Sequence, residues 1–210
     1  QHNIVFIQSL SHAQRERLAF IDFNLQFFGK ISRSDLISRF KTGLAASTRD
    51  FAAYREVAQA NLTLDHSTKQ YLRTEHFTPI FEFSADAILQ SVSKGFSDGI
   101  TASIQPSAQC FDAVVLIHPN IDIIAALMRA IHNQVACKVT YVSISSGENT
   151  RIIFPHAIIN NGHRWHVRAF DQNSRTFRDF VCTRFTHVED ITTVASIEQT
   201  AHADVHFNRL

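Results

Sequence analysis

Residues 151–184 read RIIFPHAIINNGHRWHVRAFDQNSRTFRDFVCTR, and their pattern decides the fold. Three runs of strand character are parted by two turn signals, Asn160-Asn161-Gly162 and Asp171-Gln172-Asn173-Ser174. Asn-Gly supplies the positive φ angles of a tight hairpin, so the two signals together predict a meander. Alternation in the middle run puts Trp165, Val167 and Ala169 on one side and Arg164, His166 and Arg168 on the other. One face is thus expected in the core, Trp165 included, and the other is cationic. In the third run Arg178, Phe180, Cys182 and Arg184 oppose Phe177, Asp179, Val181 and Thr183, so both faces are mixed. Such a mixture suits a small closed barrel better than a one-sided sheet.

Just upstream, Asn120 to Asn133 predicts a helix, with Ile124, Leu127, Met128 and Ile131 on one side and Asp122 and Arg129 outward. It leads into Lys138 to Ile144 as the first strand of the barrel, and Val188 to Val194 is expected as the last. Between Ala85 and Phe96 a connecting helix is predicted, ended by Ser97-Asp98-Gly99. Phe111 to Ile117 reads as a buried strand or a partner-facing segment.

The first part of the chain is helical. Ser11 to Phe28 carries Leu18, Ile21, Leu25 and Phe28 at spacings of three and four, and Gly29 stops it. Ser32-Arg33-Ser34-Asp35 opens a short helix through Lys41 that buries Leu36, Ile37 and Phe40, and Thr42-Gly43 makes a turn. A third helix over Leu44 to Ala58 is expected to face Leu44, Phe51, Tyr54 and Ala58 inward and Ala45, Ala46, Arg49, Asp50 and Ala53 outward. Residues 61–64 and 69–72 then alternate around His66-Ser67-Thr68, which predicts a two-stranded wing. Helix, short helix, turn, helix and hairpin make a winged helix-turn-helix.

Small residues beside Ser47, Thr48 and Arg49 would let the third helix lie close in a groove. Ser47, Thr48 and Arg49 are therefore expected at base edges, arginine being suited to guanine. Arg33, Ser34 and Lys69 are expected at phosphates, where they position the domain without reading sequence. Asp35 and Asp50 are expected to cap or orient helices.

The stretch quoted above also resembles the WYL domain, a small Sm-like barrel named for a Trp-Tyr-Leu triad, and most closely its variant in BrxR/CapW-type repressors beside phage-defence operons. The residues that carry the likeness are Tyr141, Ser143, Ser145-Ser146-Gly147, Arg151, Pro155-His156, Arg164-Trp165-His166-Val167-Arg168, Phe177-Arg178-Asp179-Phe180 and Arg184. Trp165-His166-Val167 stands where the triad would be, so two of its three residues differ. The order of parts before it, with Ser47-Thr48-Arg49-Asp50 followed by Tyr54, is similar to the winged domain of the same repressors.

The resemblance implies an α+β chain with an N-terminal winged helix-turn-helix over 1–84, a mainly helical connector over 85–134 and an Sm/SH3-like small β-barrel, the WYL domain, over 135–200. It also implies a C-terminal extension, of which 201–210 would be the start of a missing or shortened copy. The implied function is a transcriptional repressor that binds an inverted-repeat operator in double-stranded DNA as a homodimer. A nucleotide, nucleic-acid fragment or other anion would be sensed on the barrel face bearing Arg164, His166 and Arg168, with Tyr141, Ser143, Arg151, His156 and Arg184 nearby. Arg, His and hydroxyl donors in convergence suit phosphate. A domain interface satisfied by internal salt bridges is the plainer account of the same face.

Bulk composition agrees with this frame. The 210 residues, 45% of them hydrophobic, can build two domains with real cores, and no long uncharged apolar run marks a membrane span or a secretory signal. Net charge is only +1, but residues 28–73 hold eight Lys/Arg against four Asp/Glu, and 138–184 hold seven against three. By contrast 185–210 has one against four. Two basic segments point to two anion-facing surfaces. Cys110, Cys137 and Cys182 are widely spaced and predict reduced thiols in a cytoplasm. His163 and His166 fall on opposite faces of a strand, which is poor for a shared metal, so neither metal nor cofactor is expected. With no phosphate-cradling glycine loop and thiols placed in strands, an enzyme is disfavoured. A different class stays open, an RNA or single-strand binding module that uses the barrel as its main reader.

Overall fold

The computed structural model describes residues 2–85, 88–89, 119–161 and 164–209. The chain divides into two compact units, residues 1–82 and 83–210. The predicted 85–96 helix lies mostly outside the described residues, and the 111–117 run and Cys110 lie wholly outside them.

In the first unit, α1 (His2–Ser9) precedes α2 (His12–Phe28), β1 (Lys30–Ser32), α3 (Arg33–Phe40), α4 (Leu44–Ala58), β2 (Leu62–Asp65) and β3 (Gln70–Arg73). Ser11 caps α2 and shares a reciprocal capping box with Gln14, while Gly29, at φ 78°, takes the left-handed position that ends it. From Leu18 to Phe27 every residue of this helix but half-buried Phe20 is buried, Asp22, Asn24 and Gln26 included. It is the post on which the unit is built. The wing has three strands in the order β1-β3-β2, because Lys30-Ile31-Ser32 pairs with Leu72-Tyr71-Gln70. Phe51 of α4 stacks on Tyr71 of β3 at 4.1 Å and 12°, which ties the wing to the helix.

A buried polar cluster fastens the end of the unit. Tyr54 of α4 donates to Asp22 Oδ1 at 2.5 Å, and the amides of Ile80 and Phe81 donate to Asp22 Oδ2 at 3.1 and 3.0 Å. Asn61 donates to the Tyr54 hydroxyl at 3.0 Å and to the Thr78 carbonyl at 2.7 Å, and accepts from Thr78 N at 2.9 Å. Burial raises the Asp22 carboxyl to about 6, against the lowering pull of Tyr54, Phe81 and Ile80. An acid raised on folding holds more protons in the native than in the unfolded chain. Its contribution to stability therefore falls as pH climbs from 3.8 to about 6. Asp22→Asn is expected to flatten this part of the pH profile of thermal unfolding; an unchanged slope would place the titration elsewhere.

In the second unit, α5 (Ile121–Asn133) leads into β4 (Val135–Ser143), β5 (Gly147–Asn160), β6 (Trp165–Asp171), β7 (Thr176–Val181) and β8 (Phe185–Val194). Asn120 caps α5 by accepting from Asp122 N at 2.8 Å. Arg129, expected to point outward, forks onto Asp190 of β8 at 2.9 and 3.1 Å and binds helix to sheet. The antiparallel sheet has the order β7-β6-β5-β4-β8. Among the described residues no pairing joins β7 to β8, so the expected barrel is not closed by hydrogen bonds. Val139, Val167, Ala169 and Phe180 are buried, as the alternation requires. Trp165 is only half-buried, because it is the first residue of β6, next to exposed Arg164.

Candidate nucleic-acid interface and the cationic sheet face

The short helix α3 is set by a capping box in which Ser32 Oγ accepts from Asp35 N at 3.2 Å and Asp35 Oδ2 accepts from Ser32 N at 2.7 Å. Lys41, at φ 55°, ends it in the left-handed conformation, and Gly43 opens α4 with no side-chain cap. The α4 face turned away from α2 exposes Ala45, Thr48, Arg49, Ala52 and Arg55. Arg33 reaches across from α3 and donates to Thr48 Oγ1 at 3.4 Å, while Thr48 Oγ1 donates to the Leu44 carbonyl at 3.0 Å. Arg49 is exposed and makes no hydrogen bond or ion pair among the described residues.

Three expectations for this helix are corrected. Ser47 is fully buried, with its hydroxyl donated to the Leu44 carbonyl at 2.9 Å, so it cannot reach a base. Asp50 is 3% exposed and faces inward, where it takes both arms of Arg17, Nε at 2.7 Å and Nη2 at 3.1 Å. Leu44, expected inside, is 62% exposed, because the buried stripe runs through Ser47, Asp50, Phe51, Tyr54 and Ala58. Ser34 is exposed at the start of α3 and Arg33 is half-buried. In the wing turn Asp65 accepts from Ser67 N, Ser67 Oγ and Thr68 Oγ1 at 2.9, 2.6 and 2.8 Å, which holds its carboxyl at about 2, and Lys69 follows at φ 60° with its side chain in solvent.

On the second unit the sequence-predicted residues divide into two groups. His166 and Arg168 do share one face, and with Ile159, Asn161, Asp179, His206 and Phe207 they line a cavity of about 370 Å³. Both ring nitrogens of His166 are buried without a hydrogen-bond partner among the described residues. Arg164 is exposed at the start of the strand, and Ser143, half-buried, sits at the β4–β5 turn beside Ser145 Oγ at 3.1 Å. Arg184 is half-buried in the turn before β8.

The others are held by the protein itself. Tyr141 is a core residue: its ring stands edge-on to Phe180 and Phe185 at 5.1 Å each, and its hydroxyl accepts from Val181 N at 3.1 Å. Its place on β4 beside buried Cys137 and Val139 leaves no route to a ligand. Arg151 donates to Asp171 Oδ2 at 2.8 Å and to Asn149 Oδ1 at 2.5 Å. Asp171 is fully buried and also accepts from Ser174 Oγ at 2.9 Å and Asn173 N at 3.2 Å, so the turn that the sequence marked is pinned by its own first residue.

The register of β5 against β6 slips between Pro155 and Ala157, which makes His156 a bulge residue. The bulge turns His156 toward Arg168, and both meet Asp204: His156 Nε2 at 3.0 Å and Arg168 Nε at 2.6 Å from Oδ2, with Nη2 at 3.0 Å from Oδ1. Arg168 Nη1 also lies 3.3 Å from Asp179. Burial pushes Asp204 up, but the bonds from Arg168, His156 and Phe207 N outweigh it and hold the carboxyl at about 2. Burial lowers His156 below its ordinary value, despite the pull of Asp204 the other way. Asp204 was not picked out from the sequence. It is one acid among four in the last 26 residues, and nothing local marks it.

The two described cysteines are buried, and burial raises both thiols, Cys182 to about 12. They pack as small apolar groups.

Residues 13–94 match the family model of the BrxR transcriptional regulator winged helix-turn-helix domain, and residues 122–190 match that of the WYL domain. The DNA-binding transcriptional repressor CapW of Pseudomonas aeruginosa is 32% identical, over 84% of this chain and 61% of that protein. CapW of Stenotrophomonas maltophilia is 34% identical, over 85% and 62% respectively. CapW of Escherichia coli (strain KTE188) is 28% identical, over 96% and 68%. The chain spans about three fifths of the length of the first two relatives. Among solved structures, proteasome accessory factor B/C of Arthrobacter aurescens aligns with 87% of this chain and 34% of its own, at 14% identity and a TM-score of 0.35. The chain thus joins a BrxR-type winged helix-turn-helix domain to a WYL domain.

Proposed function

We propose that this chain is the DNA-reading and signal-receiving part of a transcriptional repressor, as its likeness to the CapW repressors implies. The observation that carries the reading is the free face of α4, where Thr48 and Arg49 stand among alanines with Arg33 alongside. A stripe of small residues admits the helix to a major groove, and an uncommitted guanidinium is then at the depth of the base edges. Arg33, Ser34 and Lys69 flank that stripe and hold the phosphates.

The protein acts in the cytoplasm as a homodimer on an inverted repeat. No helix among the described residues is long and apolar enough to cross a membrane. The WYL sheet receives an anionic effector, a nucleotide or nucleic-acid fragment, on the face of His166 and Arg168, with Arg164 at the start of the strand and His156 beside Arg168. Occupation shifts DNA affinity by favouring one arrangement of the two winged domains. Its operator lies beside phage-defence genes, a reading that the likeness to BrxR/CapW-type repressors supports.

Selection of bound sequences from a randomised duplex pool, mixed with an equal pool of single strands, tests the reading. A two-fold symmetric duplex is the expected product. Enrichment of single strands instead would transfer the reading role to the sheet and make the chain a single-strand or RNA binder.

A further inference from the structure

Asp204 approaches the sheet from outside it. It follows the one-turn helix Ala201–Ala203 and lies 36 residues beyond Arg168 and 48 beyond His156. Its carboxylate is fully buried. The segment that delivers it is not part of the core: of residues 196–208, Asp204 alone is buried, while Ile197 and Val205 are 77% and 57% exposed. Among the described residues, what holds the segment down is the fork of Arg168, the bond to His156 Nε2, and the Phe207 ring set edge-on to His156 at 4.9 Å. Asn208 folds back on the segment itself, donating to the carbonyls of Ala201 and His202 at 3.1 Å each. A strap held by charge and one ring contact opens without disturbing apolar packing.

Arginine's planar fork donates to a carboxylate or a phosphate oxygen pair in the same two-point geometry. Asp204 therefore occupies Arg168 as an external phosphate group would. We infer that residues 201–208 are a built-in competitor: the Asp204 carboxylate fills the Arg168–His156 site, and a phosphate-bearing ligand binds there only when the strap is displaced. The inference rests on the reading of this face as a receiver, and adds how access to it is regulated. Opening frees Arg168 from one of its two carboxylates and leaves Asp179, which lies toward solvent at the cavity edge. It also frees His156 Nε2 and widens the cavity wall now formed by Phe207.

Calorimetric titration of the full chain with inorganic pyrophosphate tests the inference. Asp204→Asn and Phe207→Ala are each expected to bind pyrophosphate roughly tenfold or more tightly than the unaltered chain, because the competent state is no longer a minor one. The gain should vanish in Asp204→Asn combined with Arg168→Gln. Equal affinity in the unaltered chain and in both single variants would remove the competitor and leave the receiving site standing. No binding by any of them would remove the site and the competitor together. Phe207→Ala keeps the carboxylate and answers the question should Asp204→Asn fail to fold. In the unaltered chain, saturating pyrophosphate should speed proteolysis within 196–208; an unchanged rate shows that nothing is displaced.

Discussion

Arg49→Ala is expected to weaken binding to a selected duplex by about ten- to a hundredfold, the worth of one bidentate contact to a base, with no change in thermal unfolding. The side chain is exposed and has no partner among the described residues, so its removal costs the fold nothing. Lys69→Ala and Arg33→Ala should behave differently. On the proposed reading each removes a phosphate contact, so binding should fall evenly across sequences and the slope of log affinity against log salt should shrink by roughly one. Fluorescence anisotropy across a salt series separates the two patterns. An Arg49→Ala chain that binds its selected site as before, or loses only a salt-dependent increment, would remove α4 from the role of reader. Ser47, by contrast, is expected to tolerate no bulky replacement and to contribute nothing to DNA, since its hydroxyl is spent inside the unit.

Asp50→Ala should destabilise the first unit by about 3–5 kcal/mol, the usual cost of leaving one member of a buried ion pair without its partner. Arg17 and Asp50 form a two-point bridge whose side chains are 17% and 4% exposed. Loss of the carboxylate strands a guanidinium between α2 and α4, whereas replacing both residues with apolar groups strands nothing. Arg17→Met combined with Asp50→Leu should therefore recover most of the stability. The chain has one tryptophan, Trp165, in the second unit, so its fluorescence follows that unit's unfolding, while among the described residues most of the helix that gives the circular dichroism lies in the first. In Asp50→Ala the dichroism transition should move to lower denaturant and the tryptophan transition should stay. A shift of both together would mean the bridge is not local to the first unit.

The parts of this fold that the sequence made legible are those whose signals are local. The span of α4, the Ser11 and Asn120 starts of α2 and α5, and the strands around residues 160 and 172 follow from periodicity and turn chemistry within a few residues. Strand β1 was missed, because three residues carry no period. The inner face of α4 was misjudged because Ser47 and Asp50 are polar, and a hydrophobic pattern cannot show a polar residue that a distant partner satisfies. Arg17 lies 33 positions away from Asp50. The same limit governs the second site. The excess of positive charge over 138–184 read as an open cationic face, yet Arg151 and Arg168 are matched by Asp171 and Asp204, the latter drawn from the acidic tail. Tyr141 was grouped with the ligand side by likeness to a family motif, whereas the alternation of β4 places it in the core.

Asp22 has a mechanical consequence. It grips the chain at residues 80 and 81, where the first unit ends, and with its other oxygen it grips Tyr54. Tyr54 stands five residues along α4 from Arg49, about 7.5 Å on the axis at 1.5 Å per residue. Tension on the exit of the unit is therefore transmitted through one carboxylate into the body of α4, and the Phe51–Tyr71 stack carries it on to the wing, so slackening that mooring would loosen helix and wing together.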